Sequence, residues 1–107
     1  MASKKNKRLI YSNVRKYVQL LQDNKIPVKT VYLFGSYVNG KENEFSDIDL
    51  AIVTNRFIGD SFDFRFMLTR MARDIDSDIE PHPYLLSDFN NNNPVAAEIL
   101  KSGIKIL

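Results

Sequence analysis

Hydrophobic residues recur along this chain with two different spacings, and the alternation between the two spacings predicts its elements. Apolar positions three and four residues apart predict a first helix from about Asn6 to about Asp23. A second amphipathic helix is expected after Asp60 or Ser61, either of which is a suitable N-cap. Short runs of β-branched and aromatic residues lie between the helices and predict strands. We therefore expect the order helix, strand, short helix, strand, helix, strand, helix, strand, an α/β fold in which helices flank a small mixed β-sheet.

The apolar face of each predicted helix is expected to form the core against the sheet. In the first helix these positions are Leu9 or Ile10, Val14, Tyr17, Val18 and Leu21. In the helix that follows residue 60 they are Phe62, Phe66, Met67, Met71 and Ile75. With Phe64 included, this helix carries more aromatic residues than one amphipathic helix needs. We expect its phenylalanines in the core, and a partner or dimer surface is the alternative.

Length and composition describe one small domain. The chain has 107 residues and a formal net charge of +2, so residues 1–107 are expected to form a single domain with one modest core. The sequence has no cysteine, no long apolar run and no secretory signal, which favours a cytoplasmic protein without a membrane segment. Basic residues cluster at Lys4, Lys5, Lys7 and Arg8. There we expect a flexible, solvated tail over about residues 1–7 rather than a nucleic-acid patch.

The segment VKTVYLF, which predicts a strand, is followed by Gly35 and Ser36. A glycine at such a turn lets the backbone approach a phosphate closely, and the amides at the start of a short helix attract anions. The hydroxyl of Ser36 adds a hydrogen-bond donor. We therefore expect Gly35 and Ser36 to bind nucleotide phosphates.

Ten residues separate Ser36 from the run DIDLAIV, which begins with Asp47 and carries Asp49. In a strand both carboxylates point to one face, while Ile48 and Leu50 point to the other. Two like charges in one small site need a divalent cation. Carboxylate oxygens suit Mg²⁺ or Mn²⁺ bound together with substrate phosphates. The apolar setting of the pair argues against two solvated loop charges.

A third acidic position follows in the segment from residue 76 to residue 84, which predicts a strand ended by Pro81 and Pro83. Asp78 and Glu80 alternate with Ile79, so both would face the side of the first two aspartates if the strands are neighbours. At this point both remain candidates for the third carboxylate of the site.

Two other polar residues lie in the same segment. For Asp76, and for Asp78 as its alternative, we consider a solvated charge at the edge of the strand. His82, the only histidine of the sequence, lies just past Glu80, where contact with a nucleotide or an acceptor is one interpretation. We favour a structural or exposed histidine, because a lone histidine between two prolines is more often structural than catalytic.

The Gly-Ser pair, the ten-residue interval and the Asp-x-Asp pair together resemble the signature of the DNA polymerase β superfamily of nucleotidyltransferases. The chain is identified as a member of its smallest branch, the minimal nucleotidyltransferases, which act as antitoxins to HEPN-domain ribonucleases. LFGSYVNGKENEFSDIDLAIV carries the core motif, DIEPHPYLLSDF resembles the region of the third carboxylate, and NPVAAEILKSGIKIL resembles the usual ending. The resemblance implies a polymerase β-like nucleotidyltransferase core. It also favours Glu80 over Asp78, because the family places this acidic residue between apolar neighbours.

The resemblance further implies an activity. In this family AMP is transferred from ATP to a tyrosine hydroxyl of the HEPN partner, which silences the ribonuclease. The implied catalytic residues are Asp47, Asp49 and Glu80. These residues would also hold two Mg²⁺ ions, or Mn²⁺ in their place. The implied ATP-binding residues are Gly35 and Ser36. Many relatives carry an arginine shortly after the Gly-Ser pair, which residues 37–39 lack. Lys41 or the partner is expected to supply that positive charge if it is needed.

Two other functions stay open from the sequence. One is an antitoxin or nucleotide-binding module that acts by steric contact without catalysis. The other is a nucleotidyltransferase for small molecules of the aminoglycoside type. The second is disfavoured, because enzymes of that type carry an added domain for their acceptor and this sequence ends at Leu107 without one. We expect a partner protein or a homo-oligomer to supply acceptor recognition.

Overall fold

The computed structural model of the protein describes residues 6–41 and 47–107. Its helices are α1 (Lys7–Asp23), α2 (Ser36–Asn39), α3 (Ser61–Arg73) and α4 (Pro94–Ser102). Its strands are β1 (Val28–Phe34), β2 (Ile48–Thr54), β3 (Ile79–Leu85) and β4 (Ile104–Lys105). This order confirms the predicted sequence of elements, with a short 3-10 helix at Leu86–Asp88 as an addition.

The strands form one mixed sheet in the order β3-β2-β1-β4. β1 pairs antiparallel with β2 and β4, whereas β2 and β3 run parallel. A parallel pair needs a crossover connection, because the chain must return to the same end of the sheet, and α3 provides it. The predicted small mixed sheet flanked by helices is therefore confirmed, with β3 at one edge of the sheet that the described residues form.

Polar side chains cap the starts of the helices. Asn6 accepts a hydrogen bond at 2.8 Å from the amide three residues further on. Asp60 accepts a hydrogen bond of the same kind at 2.7 Å, so Asp60 and not Ser61 is the N-cap of α3. Helix α1 already includes Lys7 and Arg8, which were expected in or beside a flexible tail. The first five residues of that expected tail lie outside the described range.

The main core lies between one face of the sheet and the helices α1 and α3. Ile10 is 2% exposed and Leu9 is 45% exposed, which decides between the two candidates. The other predicted core positions of α1 are all buried, namely Val14, Tyr17, Val18 and Leu21. The strand residues buried in the same cluster are Val31, Leu33, Ile48, Leu50, Ile52 and Ile79.

The phenylalanines of α3 do not all enter the core, so part of the prediction is wrong. Phe64 is fully buried, whereas Phe62 is 77% exposed and Phe66 is 57% exposed. Side chains two positions apart in an α-helix point about 200° away from each other. Burial of Phe64 therefore turns Phe62 and Phe66 outwards. The buried stripe continues through Leu68 and Ala72. The predicted positions Met67, Met71 and Ile75 are half-buried along its side.

The prediction that prolines end the third strand is also wrong, because β3 continues through both Pro81 and Pro83. The Asp78 carbonyl accepts a hydrogen bond from the Ile48 amide of β2 at 2.8 Å. Every second residue from Asp78 onwards then points its backbone N–H and C=O groups towards β2. Pro81 and Pro83 lie between these positions. A proline whose missing N–H would face away from the sheet is tolerated in an edge strand.

A smaller cluster lies on the opposite face of the sheet, under α4. Its buried members are Ala51, Val53, Phe89, Ala96 and Ile99. Asp49 precedes Ala51 by two residues on β2, so its side chain projects from this same face. Among the described residues, no helix combines the length and apolar character that crossing a membrane requires.

Candidate active site

Asp49 and Glu80 lie side by side on neighbouring strands. Asp49 is the register partner of Glu80 in the parallel pair, and of Phe34 in the antiparallel pair with β1. Directly paired residues place their side chains on the same face of a sheet. Both carboxylates therefore project from the face that carries α4, at the end of the sheet where β1 turns into Gly35.

The turn after β1 lies against the carboxylate of Asp49. Gly35 has a φ of +84°, a conformation that residues with a Cβ rarely adopt. A Cβ at this position would overlap Oδ2 of Asp49 and lie 3.2 Å from its Cγ. Two features therefore require glycine at position 35. They are its backbone conformation and its close approach to the Asp49 carboxylate. The predicted phosphate-binding glycine and the predicted metal-binding aspartate are neighbours in space.

Ser36 is the first residue of α2, a single helical turn that ends before Gly40. Its side chain is half-buried beside Gly35. The amides of Val38 and Asn39 each donate a hydrogen bond to the Gly35 carbonyl at 3.0 Å. These bonds hold the turn in the position that the sequence predicted for a phosphate-binding segment.

Asp47 is exposed and lies immediately before β2. Its carboxyl group shares a hydrogen bond with that of Glu80, and this bond raises the pKa of Glu80 above its ordinary value. Burial raises the pKa of Glu80 further, His82 lowers it, and the charges of Asp47 and Asp49 raise it. Asp47 and Asp49 therefore lie close enough to Glu80 for their charges to oppose its ionisation.

His82 lies in this cluster and is half-buried rather than exposed. Its Nε2 lies 3.1 Å from Oδ1 of Asp49, and its ring centroid lies 5.3 Å from that of Phe34. A signal for this placement was present in the sequence. His82 follows Glu80 by two residues, so in a strand both side chains face the same side.

Arg65 is a second residue near the cluster that sequence reasoning missed. It lies on α3, and its guanidinium is 3.7 Å from Oε1 of Glu80, with both side chains about half-exposed. The expected sources of positive charge were Lys41, which is exposed after α2, and the partner. No spacing in the sequence indicates the approach of Arg65, because it depends on how α3 packs beside β3.

Asp76 is hydrogen-bonded to α1 and to the backbone of Asp78. Asp76 is 8% exposed and accepts a hydrogen bond from Asn13 Nδ2 of α1 at 2.9 Å. It also accepts one from the Asp78 amide at 3.0 Å. The solvated charge considered for Asp76 is therefore wrong, since this buried carboxylate links α1 to the backbone just before β3. Asp78 precedes β3, and it is Glu80 that the register sets opposite Asp49.

The cluster offers a donor set for a divalent cation. Among the described residues, one ligand atom each from Asp49, Glu80 and His82 lie within 4.8 Å of one another. Carboxylate oxygens suit Mg²⁺ and Mn²⁺, and a bound cation relieves the repulsion between crowded carboxyl groups. The residues present therefore fit the metal that the resemblance implies.

A groove of about 360 Å³ runs over the free edge of β3 and reaches the cluster at His82. We call it the edge groove, and its lining residues are Phe57, Ser61, Phe62, Arg65, His82, Pro83 and Tyr84. A larger groove of about 570 Å³ lies between α1 and α3, with Phe66 and Met71 among its lining residues. Of these two grooves, only the edge groove includes a residue of the cluster.

Comparison with known proteins agrees with this geometry. Residues 15–107 match the family model described as polymerase beta, nucleotidyltransferase. The chain belongs to the polymerase β nucleotidyltransferase family. A curated relative, the protein adenylyltransferase MntA of Shewanella oneidensis, is 34% identical over 68 residues, which are 64% of this chain and 48% of the relative. The match thus spans about half the length of that relative.

Solved structures share the fold. A crystal structure of a toxin–antitoxin with AMP-PNP is 26% identical and has a TM-score of 0.64, covering 87% of this chain and 71% of that chain. A crystal structure of the toxin–antitoxin MntA–HepT is 23% identical and has a TM-score of 0.58, covering 89% of this chain and 69% of that chain. The polymerase β-like nucleotidyltransferase core that the resemblance implied is confirmed.

Proposed function

We propose that this protein is an antitoxin that transfers AMP from ATP to a tyrosine hydroxyl of a HEPN-domain toxin. The observation that carries the proposal is the pairing of Asp49 with Glu80, which gathers the carboxylates beside the turn at Gly35. The comparisons support it, because the curated relative is named a protein adenylyltransferase and the similar structures are of toxin–antitoxin pairs, one with AMP-PNP. AMP-PNP carries the triphosphate length of ATP, which agrees with ATP as the substrate.

The carboxylates of Asp47, Asp49 and Glu80 would hold two Mg²⁺ ions, or Mn²⁺ in their place. Bound there, the cations supply neutralisation of phosphate charge and a lower pKa for the attacking hydroxyl. Asp49 has the most constrained position, because Gly35 lies against one of its carboxylate oxygens and His82 against the other. Such constraint suits phosphoryl transfer, in which positioning and charge provide most of the catalysis.

The order of the strands places the proposed phosphate-binding turn and the proposed base on opposite sides of Asp49. Gly35 and Ser36 follow β1, Asp49 lies on β2, and Glu80 lies on the edge strand β3. Ser36 and the neighbouring amides would bind the β- and γ-phosphates of ATP. The attacking hydroxyl would form a bond to the α-phosphorus as the bond to the β-phosphate breaks and pyrophosphate leaves. In-line displacement then places that hydroxyl opposite the leaving pyrophosphate, towards Glu80. Glu80 would accept the proton of that hydroxyl.

The acceptor would then enter over the free edge of β3, through the edge groove. Phe57, Phe62 and Tyr84 give this groove an aromatic lining, and aromatic rings pack well against one another. Phe62 is 77% exposed and is therefore accessible to a partner. These features suit a protein segment that presents a tyrosine.

The proposal is tested with the product of the neighbouring gene as the acceptor. The two proteins are incubated with Mg²⁺ and ATP labelled at either the α- or the γ-phosphate. We expect the α-label, and not the γ-label, to become attached to a tyrosine of the partner, and we expect Asp47→Asn to abolish attachment while the complex still forms. Neutralisation of the partner without attached label would favour the steric antitoxin. Labelling of an aminoglycoside instead of the protein would favour the small-molecule enzyme.

A further inference from the structure

We propose that His82 is a metal ligand, so that Asp49, Glu80 and His82 form a mixed nitrogen–oxygen site that binds a first-row transition cation such as Mn²⁺ before nucleotide arrives. The inference deepens the proposed function and rests on it for the role of the site. It differs from a site made only of carboxylates, in which Mg²⁺ depends on substrate phosphates to complete its coordination.

The separation of the ligand atoms fits a shared ion. Nε2 of His82 lies 3.1 Å from Oδ1 of Asp49. Bonds from a transition cation to a histidine nitrogen or a carboxylate oxygen are about 2.1 Å long, so two such ligands at right angles lie about 3 Å apart. Ligand atoms of all three residues lie within 4.8 Å of one another, and two ligands on opposite sides of an ion lie about 4.2 Å apart. Small side-chain rotations would close the set around one cation.

The three residues stand on paired strands, which fixes their backbones. Glu80 is the register partner of Asp49, and His82 is the register partner of Ala51 on the same face. The ring of Phe34 lies beside the imidazole, with centroids 5.3 Å apart, and limits its movement. Ligands on strands hold their geometry more precisely than ligands on loops.

The chemistry of imidazole decides which cation this site favours. Mg²⁺ prefers oxygen ligands and keeps several of its waters. A histidine nitrogen adds affinity for first-row transition cations, least for Mn²⁺ and more for Fe²⁺, Co²⁺ and Zn²⁺. Three protein ligands leave positions open for water and, later, for a phosphate oxygen. The site would therefore select a transition cation when no nucleotide is present.

The contact of Arg65 with Glu80 opposes a cation at the cluster. Its guanidinium lies 3.7 Å from Oε1 of Glu80, and its side chain is about half-exposed. A pair in this setting is weakened by solvent and salt. Arg65 can therefore turn towards solvent when a divalent cation occupies the carboxylates.

The test uses the full chain with Mn²⁺ and no nucleotide. Binding is followed by the loss of the electron paramagnetic resonance signal of free Mn²⁺, with Mg²⁺ as competitor. Electron spin echo envelope modulation then reports whether an imidazole nitrogen is bonded to the ion. We expect the native protein to bind Mn²⁺ with nitrogen coupling and to lose it only to a large excess of Mg²⁺. Absence of Mn²⁺ binding, or binding without nitrogen coupling, would overturn the proposal.

Two substitutions separate a ligand from a positioning residue. His82→Gln keeps a hydrogen-bond donor for Asp49 but removes the nitrogen ligand, so we expect it to lower Mn²⁺ affinity at least tenfold, as His82→Ala does. If His82→Gln instead binds Mn²⁺ like the native protein while His82→Ala does not, His82 only orients Asp49 and the proposal fails. Tyr84→Phe, two residues further along β3, is the matched control and should bind normally.

Asp47→Asn distinguishes failure of this inference from failure of the proposed function. Asp47 lies outside the proposed ligand set, so Asp47→Asn should keep the nitrogen coupling while it loses AMP transfer. Loss of the nitrogen coupling in Asp47→Asn would contradict the assignment of ligands, whatever the outcome of the transfer assay.

Discussion

At the scale of the residue, Asp49 is the point where the separate parts of the site meet. One carboxylate oxygen faces the Gly35 turn, the other is within hydrogen-bond distance of His82, and its strand neighbour is Glu80. A side chain constrained on three sides loses little freedom when it binds a metal or a nucleotide. The position of Asp49 therefore depends on the Gly35 turn, which carries no metal ligand, as well as on His82 and Glu80.

Gly35→Ala is expected to damage this site in a way that Gly40→Ala does not. Gly40 is left-handed, with a φ of +72°, so alanine there should lower the free energy of unfolding by about 1–2 kcal/mol. Gly35, with a φ of +84° and a ψ of −148°, lies in a region that is essentially restricted to glycine, so alanine there should cost more. Only at Gly35 would the new Cβ meet the Asp49 carboxylate, since nothing lies within 4 Å of a Cβ at Gly40. We expect Gly35→Ala to lose Mg²⁺-ATP binding in calorimetry and Gly40→Ala to retain it. Equal binding by the two variants would show that the contact with Asp49 is unimportant.

Glu80→Gln and Asp78→Asn test which acidic residue of the β3 segment acts in transfer. Loss of a positioned base usually lowers a rate by about a hundredfold or more, so we expect this defect in Glu80→Gln. Mg²⁺-ATP binding should stay near normal, because Asp47 and Asp49 remain. Asp78→Asn should do much less, since Asp78 precedes the strand and its amide bonds to Asp76. Single-turnover transfer to the partner measures both, and a large defect in Asp78→Asn with a mild one in Glu80→Gln would reverse the assignment.

At the scale of the element, local signals predict the existence of helices and strands better than their orientation. Asp60 and the apolar period were enough to predict α3, because capping and periodicity are properties of neighbouring residues. The choice of Phe64 as the buried aromatic depends on how the sheet meets the helix. Pro81 fits within β3 only because β3 lies at an edge, and Arg65 reaches Glu80 only through the packing of two elements. Of His82 and Arg65, only His82 could have been placed in the site from the sequence, because side chains two residues apart in a strand face the same side.

The packing of α1 on α3 includes a buried hydrogen bond whose removal should be measurable. The hydroxyl of Tyr17 donates to the Leu68 carbonyl at 2.8 Å, and burial raises the pKa of this tyrosine. Tyr17→Phe should lower the free energy of unfolding by about 1 kcal/mol, the usual contribution of such a bond. Tyr11→Phe, on the same helix but half-buried, is the control and should change it little. Denaturant unfolding of both variants checks this, and equal stability of the two would contradict the role of the bond.

At the scale of the whole molecule, the carboxylate cluster has two distinct sides. The turn after β1 lies on one side of the carboxylates, and the open edge of β3 lies on the other. Prolines at 81 and 83 remove backbone donors from that edge, which makes pairing with a further strand unfavourable. A partner is therefore expected to approach this edge through side chains in the edge groove.

Phe62 and Phe66 allow this direction of approach to be tested, because both are exposed phenylalanines of α3. Phe62 lines the edge groove, whereas Phe66 lines the groove between α1 and α3. Phe62→Ala should raise the KM for the partner in AMP transfer by about tenfold, the effect of losing an aromatic contact at an interface. Mg²⁺-ATP binding should not change, because neither ring touches the carboxylates.

Phe66→Ala should leave the KM for the partner close to the native value. The two variants are compared in the same transfer assay, with partner concentration varied at saturating ATP and with complex formation followed separately. If Phe66→Ala weakens transfer and Phe62→Ala does not, the partner docks between α1 and α3, and the acceptor must reach Glu80 by another path. If both variants weaken complex formation equally, the partner covers both grooves at once, and the edge groove has no special role in presenting the acceptor.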